Sequence, residues 1–333
     1  MKALITGATG CLGRNLATRL LREGWEVHVT GRNESIGALL ENQGGRFYKA
    51  DLGNKEAITA LCQGKDVIFH CGALSSPWGK YSDFYRANVL GTNNVIEGCL
   101  KHDVKRLVHV STPSIYFDFK EKHQISEADL LPEKPVNHYA ATKHEAEHFI
   151  DAAFKEHNLP VITIRPRAIF GPYDTAIMPR IIRAARNGKV PHINGGNALI
   201  DATYVDNVVE SLLLCASAHE AALGKKYNIT NGEPIQLKDL LRLSFSALGL
   251  PFQPKYISYK TAYRMATIME AVASLPGISW EPVLTKYGVG VFSIGQTLDI
   301  SAAIRDLGYK PIITLDQGIR RFAAWWKEKH HAA

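Results

Sequence analysis

Apolar residues recur along this chain with two different periods. Up to Pro166, short runs rich in β-branched and aromatic residues (KALIT, WEVHVT, RFYKAD, DVIFHC, RLVHVST and VITIRP) alternate with stretches whose apolar positions fall three or four apart. Leu12, Leu16 and Leu20 form one such stretch, and Val89, Val95, Ile96 and Leu100 another. The first pattern predicts strands and the second amphipathic helices. Their alternation predicts an α/β fold, a doubly wound parallel sheet with helices on both faces. Beyond Pro166 the alternation fades. RIIRAARNGK, VDNVVESLLLCASA and IQLKDLLRLSFSALG read as helices between Gly- and Pro-containing loops, and the C-terminal LDQGIRRFAAWWKEKHHAA carries a helical stripe at Ile319, Phe322 and Trp326. SYKTAYRMATIMEAVASLPGI is a further helical stretch; Lys260, Arg264 and Glu270 interrupt its apolar face, so packing on a neighbouring helix is expected in preference to a membrane contact. The expected organisation is one domain over 1–166 and a smaller lid over 167–333, with residues about 200–230 returning to the first.

Composition narrows the class. A chain of 333 residues, 46% hydrophobic and 21% charged, can bury a core without covalent staples. Its five cysteines are scattered and show no ligand or CxxC spacing, which predicts neither a disulfide frame nor structural zinc and fits a reducing cytoplasm. The formal charge of +7, 39 basic against 32 acidic residues, is spread along the sequence; mild attraction to anionic ligands is expected, and nucleic-acid binding is not. MKALITGATG reaches its glycines before a signal-peptide core could form, and no apolar run approaches the roughly 20 residues of a membrane span. A cytoplasmic protein acting on a small molecule is expected.

The first chemical motif follows the first strand. In LITGATGCLGRNLATRL, Gly7, Gly10 and Gly13 stand three apart between an apolar run and a helical pattern. Glycine permits the turn and a close backbone approach, and a helix N-terminus presents free amides and partial positive charge to a pyrophosphate. Strand, glycine turn and helix in a first βαβ unit are the context that makes such glycines a dinucleotide site. The loop resembles that of the short-chain dehydrogenase/reductase superfamily, which implies a Rossmann-type sheet and cofactor contacts from Gly7, Thr9, Gly10, Cys11, Leu12 and Gly13. At the end of the second strand NAD-binding folds usually carry an acidic residue for the ribose hydroxyls. Here Gly31 takes that place and Arg32 follows. A guanidinium pairs with a 2′-phosphate, so NADP is expected over NAD, with Arg32 as the clamp and Arg14 as helper; the alternative is an ordinary loop arginine. By the same resemblance Asp51 and Leu52 hold the adenine, Gly72 and Ala73 bend beside the cofactor, Asn88 supports the site from a central helix, and Pro166 packs by the nicotinamide.

The reaction is read from NHYAATKHEAEHF. Tyr139 and Lys143 are four apart, hence on one face of a helix; an ammonium beside a phenol lowers its pKa toward working pH, as acid–base catalysis requires. Lys143 also holds the nicotinamide ribose in the family this resembles. The family's Ser/Thr pair at the end of the fifth strand matches Ser111 and Thr112, which makes Thr112 the hydroxyl on the reacting oxygen, with Ser111 and Ser114 in reserve. IRPRAIFGPYD, with its turn at Gly171 and Pro172, and DATYVDNVVESLL resemble two further elements of the extended subgroup, within the NAD-dependent epimerase/dehydratase family. Three departures bear on the substrate. Thr112 is followed by Pro113 and Ser114, not by the Asp-Glu pair of dehydratases. Ile200 replaces the arginine that holds a substrate diphosphate in nucleotide-sugar enzymes, a role left to Arg180 or Arg183. The C-terminal LTKYGVGVFSIGQTLDISAAIRDLGYKPIITLDQGI resembles the 3β-hydroxysteroid dehydrogenase-like group with its 2-alkyl-3-ketoalkanoic acid reductases. The resemblance implies an apolar substrate with a secondary alcohol or ketone, with or without a neighbouring carboxylate, for which Trp78, Tyr81, Phe84 and Tyr85 could wall a pocket or simply pack. Rival readings are a nucleotide-sugar epimerase and a non-enzymatic redox sensor, though sensors usually lose the Tyr–Lys pair. A homodimer through the helices carrying Asn88 and Lys143 is also implied.

Overall fold

Seven parallel strands form the central sheet: β1 Lys2–Thr6, β2 Glu26–Gly31, β3 Arg46–Lys49, β4 Val67–His70, β5 Arg106–Val110, β6 Val161–Pro166 and β7 Lys226–Ile229. Their order across the sheet is β7-β6-β5-β4-β1-β2-β3. The computed structural model describes residues 1–333 except 176, 187–189, 276, 278–279 and 332–333. The first six strands coincide with the six apolar runs, β2 extending one residue beyond its run to Gly31. The seventh was not singled out as a strand: it lies beyond Pro166, where the alternation fades, and Lys226 and Asn228 leave it only two apolar positions.

Alternate residues of each central strand feed different layers. Ala3 and Ile5 of β1 and Val67 and Phe69 of β4 join one buried cluster, while Leu4 and Ile68 point into the other. Both faces are therefore dry, which is why these strands are apolar throughout. On the first face, α1 (Cys11–Arg22) buries Leu12, Leu16, Ala17 and Leu20 beside α2 (Val205–Ser217 in the second half of the chain). The second face is covered by the helices Gly91–Lys101 and His138–His157.

The C-terminal half is not a detached layer. Its last helix, Leu315–His331, puts Leu315, Ile319 and Phe322 into the same cluster as Leu12 and Leu16. A small second sheet joins Ile235–Gln236, Leu199–Ile200, Gln296–Leu298 and Lys122–Ile125. The strand order of the main sheet reverses between β1 and β4, and ligands of open α/β sheets bind in the crevice at the carboxyl ends of the strands at such a point.

Candidate active site

At the reversal point the backbone is stripped of side chains. Gly7 adopts φ +66°, and a Cβ there would lie 2.5 Å from Gly72 Cα, across the crevice at the end of β4. A Cβ on Gly13 would lie 2.5 Å from the Gly7 carbonyl oxygen, so α1 rests directly on the loop. Gly10 caps α1 without a side-chain hydrogen bond, and no acidic residue stands in its first turn. Those open amides suit the pyrophosphate of a dinucleotide. Thr9 and Cys11 flank them half-buried and Leu12 anchors the turn in the core. The Cys11 thiol is 3.4 Å from the Pro172 carbonyl, and burial pushes its pKa upward.

A Cβ on Gly31 would meet Thr9 Oγ1 at 2.6 Å. Thr9 thus fills the space that an acidic side chain would need, and Arg32, exposed, is the first side chain beyond it. Arg14, the expected helper, instead stacks on Tyr173 with its guanidinium carbon 3.7 Å from the ring centroid. Asp51 accepts from Gly53 N at 2.9 Å and pairs with Arg86 at 3.4 Å. Leu52 packs against Gly72 and Gly91, and its carbonyl accepts from Asn94. Ala73 is exposed at the crevice and Pro166 is buried at the end of β6.

Asn88 lies in a wide helical turn, Tyr85–Leu90, of the π type that often marks functional sites. Fully buried, it stitches the loop after β4 to the next helix: its Oδ1 accepts from Leu74 N at 2.7 Å, and its Nδ2 donates to Leu74 O at 3.1 Å and to Thr142 Oγ1 at 3.0 Å. That helix, His138–His157, is capped by Asn137 and carries Tyr139 and Lys143. Lys143 is buried; its Nζ donates to Val110 O at 2.8 Å and lies 3.3 Å from His109 Nε2. Burial brings its pKa down to about 8.

Burial also raises the pKa of Tyr139, opposed by hydrogen bonds with the Ser75 and Thr112 hydroxyls. The expected lowering of Tyr139 by Lys143 is not what the geometry shows: the ammonium is turned to β5, and Tyr139 is a neutral phenol. Thr112 Oγ1 donates to Ser114 Oγ at 3.0 Å, and Ser114 Oγ is 2.8 Å from Tyr287 Oη. Ser111 is buried and faces Glu147, away from this cluster. The sequence singled out neither Ser75 nor Tyr287, which come from a loop and from the C-terminal third.

Of the four aromatic residues that could wall a pocket or simply pack, Tyr81, Phe84 and Tyr85 pack among themselves and on His138. Tyr287, by contrast, stacks edge-on with Phe117, which continues to Phe119 and Tyr263. Ile200 is buried in the small sheet opposite Gln296. Arg183 is exposed on its helix, and the side chain of Arg180 lies outside the described residues. Among the described residues no cluster of His, Cys, Asp or Glu could hold a metal ion, and no helix is long and apolar enough to cross a membrane.

Comparison with known proteins places this geometry. The model of the NAD dependent epimerase/dehydratase family matches residues 3–230. The chain is 36% identical to the 2-alkyl-3-oxoalkanoate reductase of Stenotrophomonas maltophilia, over 97% of this chain and 99% of that protein. It is 31% identical to the mouse sterol-4-alpha-carboxylate 3-dehydrogenase, decarboxylating, over 96% and 89%. Among solved structures, the UDP-glucose 4-epimerase of Thermotoga maritima superposes with a TM-score of 0.80 at 20% identity, covering 99% of each chain. That likeness speaks to the fold alone.

Proposed function

The chain belongs to the NAD dependent epimerase/dehydratase family, in its extended short-chain dehydrogenase/reductase branch with the 3β-hydroxysteroid dehydrogenase-like members, and from that premise we propose that it transfers a hydride between NADP(H) and a secondary alcohol or ketone on an apolar substrate. The observation that carries the reading is the convergence of the Tyr139, Thr112 and Ser75 hydroxyls one helical turn from a buried Lys143. A bound nicotinamide supplies the hydride; the residues supply position and the proton. In reduction, the neutral Tyr139 phenol donates its proton to the carbonyl oxygen, and Thr112 hydrogen-bonds the same oxygen as negative charge develops. Lys143 holds the ribose side of the site while fixed to Val110. The half-buried Phe119, Tyr263 and Tyr287, backed by the buried Phe117, offer the apolar surface.

In this reading 1–166 binds the dinucleotide, and 167–333 mainly the substrate. Arg32 selects NADP. Scattered free cysteines fit a cytoplasmic location, and the exposed Leu90 and Phe149, on the helical segments that carry Asn88 and Lys143, support a homodimer.

The test is a panel of ketones, 3-keto acids, steroids and nucleotide sugars with NADPH or NADP, followed by absorbance of the reduced nicotinamide. Net oxidation of NADPH by a ketone is expected. Replacing Tyr139→Phe should cut turnover roughly 10²–10⁴-fold with cofactor affinity retained. Interconversion of nucleotide sugars without net NADPH consumption would instead establish an epimerase.

A further inference from the structure

Lys143 keeps its ammonium inside the protein with little to neutralise it. Only 1% of it is exposed, and among the described residues no ion pair includes it. Glu147, the acid one helical turn away, spends both carboxylate oxygens on Arg165. Two of the three N–H donors of the ammonium meet acceptors on β5, Val110 O at 2.8 Å and His109 Nε2 at 3.3 Å. Because an ammonium only donates, Nε2 of His109 is the bare nitrogen and the ring proton sits on Nδ1. That Nδ1 is buried with no hydrogen-bond partner. A buried donor left unpaired weakens the fold and calls for a reason; an apolar side chain at this place would avoid it.

The neighbours fix the ring without sharing its proton. His70 stands opposite His109 across the β4–β5 pair, with ring centroids 5.3 Å apart, and both its nitrogens are engaged by Thr6 and Thr92. Among the described residues, the one side-chain hydrogen bond of His109 is to Lys143. We propose that His109 is a positioning residue: its Nε2, with Val110 O, holds the ammonium on β5 so that the third N–H is left for the nicotinamide ribose of a bound dinucleotide. This rests on the reading of Lys143 as the ribose-holding residue of an oxidoreductase. The titratable groups facing Lys143 are Tyr139 and Glu147 on its own helix, His70 on β4, Cys71 after it and His109 on β5; Lys226 of β7 lies behind His109, paired with Asp151 at 2.6 Å. Burial pushes Cys71 up to about 12, Tyr139 above its ordinary value and both histidines down, while Glu147, despite its burial, is held low by Arg165. Lys143, brought by burial to about 8, is the member of this set that titrates near neutral pH.

The experiment titrates NADPH and NADH, by fluorescence of the reduced nicotinamide, into wild-type, His109→Phe and His109→Gln proteins from about pH 6.5 to about pH 9. ADP, which has the adenine half and no nicotinamide ribose, is titrated calorimetrically alongside. The wild-type Kd for the reduced dinucleotides should rise as the pH passes about 8, where the ammonium loses its charge. His109→Phe keeps a ring and removes the acceptor, which disfavours the charged form; the midpoint should fall by about one pH unit and Kd at pH 7 should rise about tenfold, while Kd for ADP stays unchanged. His109→Gln, whose amide oxygen can stand in for Nε2, should recover most of both. Kd and midpoint refer to the folded fraction, so partial misfolding leaves them unaltered, and His109→Leu, which also lacks the acceptor, takes the place of a phenylalanine protein that does not fold. An unshifted midpoint without the acceptor, or an equal loss of ADP affinity, overturns the proposal. If the midpoint depends on His109 and yet no ketone oxidises NADPH, the positioning role stands and the oxidoreductase reading fails.

Discussion

At the scale of single residues, the proposed cofactor preference and chemistry each rest on a few side chains. Thr9 fills the space over Gly31, Arg32 next to it is exposed, and on the proposed NADP reading Arg32 meets the 2′-phosphate. Replacing Arg32→Ala should reduce the preference for NADPH over NADH about tenfold or more, the worth of one charge-assisted contact. The ratio of kcat/KM for the two cofactors reads it, and an unchanged ratio would leave Arg32 as a solvated loop residue. Thr112, Tyr139 and Lys143 were legible in the sequence because two share a helical face and the third closes a recognisable strand. Ser75 and Tyr287 were not. Each reaches the same cluster from a separate stretch, and no spacing along the chain records that meeting.

At the scale of elements, the helix His138–His157, which carries Tyr139 and Lys143, is locked to the sheet by a buried ion pair. Glu147, one turn beyond Lys143, receives two donors from Arg165 of β6: Nε at 2.9 Å and a terminal nitrogen. Arg165 also donates to Tyr116 Oη, and Tyr116 donates to Asn228 of β7 at 3.2 Å. Opposing effects act on Glu147: burial raises its pKa, but the Arg165 guanidinium more than offsets this and holds the carboxyl below its usual range. Breaking such a pair leaves a buried unpaired cation, so Glu147→Gln should cost about 3–5 kcal/mol of stability. Denaturant unfolding measures it, and a loss under about 1 kcal/mol would show that the helix is held by apolar packing alone. In NHYAATKHEAEHF the same glutamate looks like ordinary helix surface. Apolar runs revealed six of the strands and the Tyr139–Lys143 spacing the helix, but the ion pair depends on a strand 18 residues away, and the short strands of the small sheet fall outside those runs.

For the molecule as a whole, burying both faces of the sheet forces the histidines at its centre, which lack a carboxylate partner, to stay neutral. His70, at the end of β4, is hydrogen-bonded through Nδ1 to Thr6 Oγ1 at 2.7 Å and through Nε2 to Thr92 Oγ1 at 3.0 Å. Thr92 spends its proton on Asn88 O and Thr6 accepts from Gly72 N, so His70 carries its proton on Nε2 and accepts from Thr6. His109 lies beside it, ring centroids 5.3 Å apart, and next to Lys143. Burial, and then the Lys143 charge, push His70 down to about 3 and His109 well below its ordinary value. Between pH 6.5 and about 3 the unfolded chain therefore binds a proton at His70 that the folded chain refuses. Stability is complete above pH 6.5 and falls as the pH drops, by about 1.4 kcal/mol per pH unit for each such histidine. Glutamine can reproduce both hydrogen bonds of His70 without titrating. Comparing urea unfolding at pH 7 and pH 5, wild type should lose about 2 kcal/mol more than His70→Gln, the integral of that slope over the 1.5 units below pH 6.5. Equal losses in the two proteins would mean that His70 takes up its proton in the folded state. The sheet centre would then have to open to water at pH 5, and the glycine loop anchored through Thr6 and Gly72 would loosen with it.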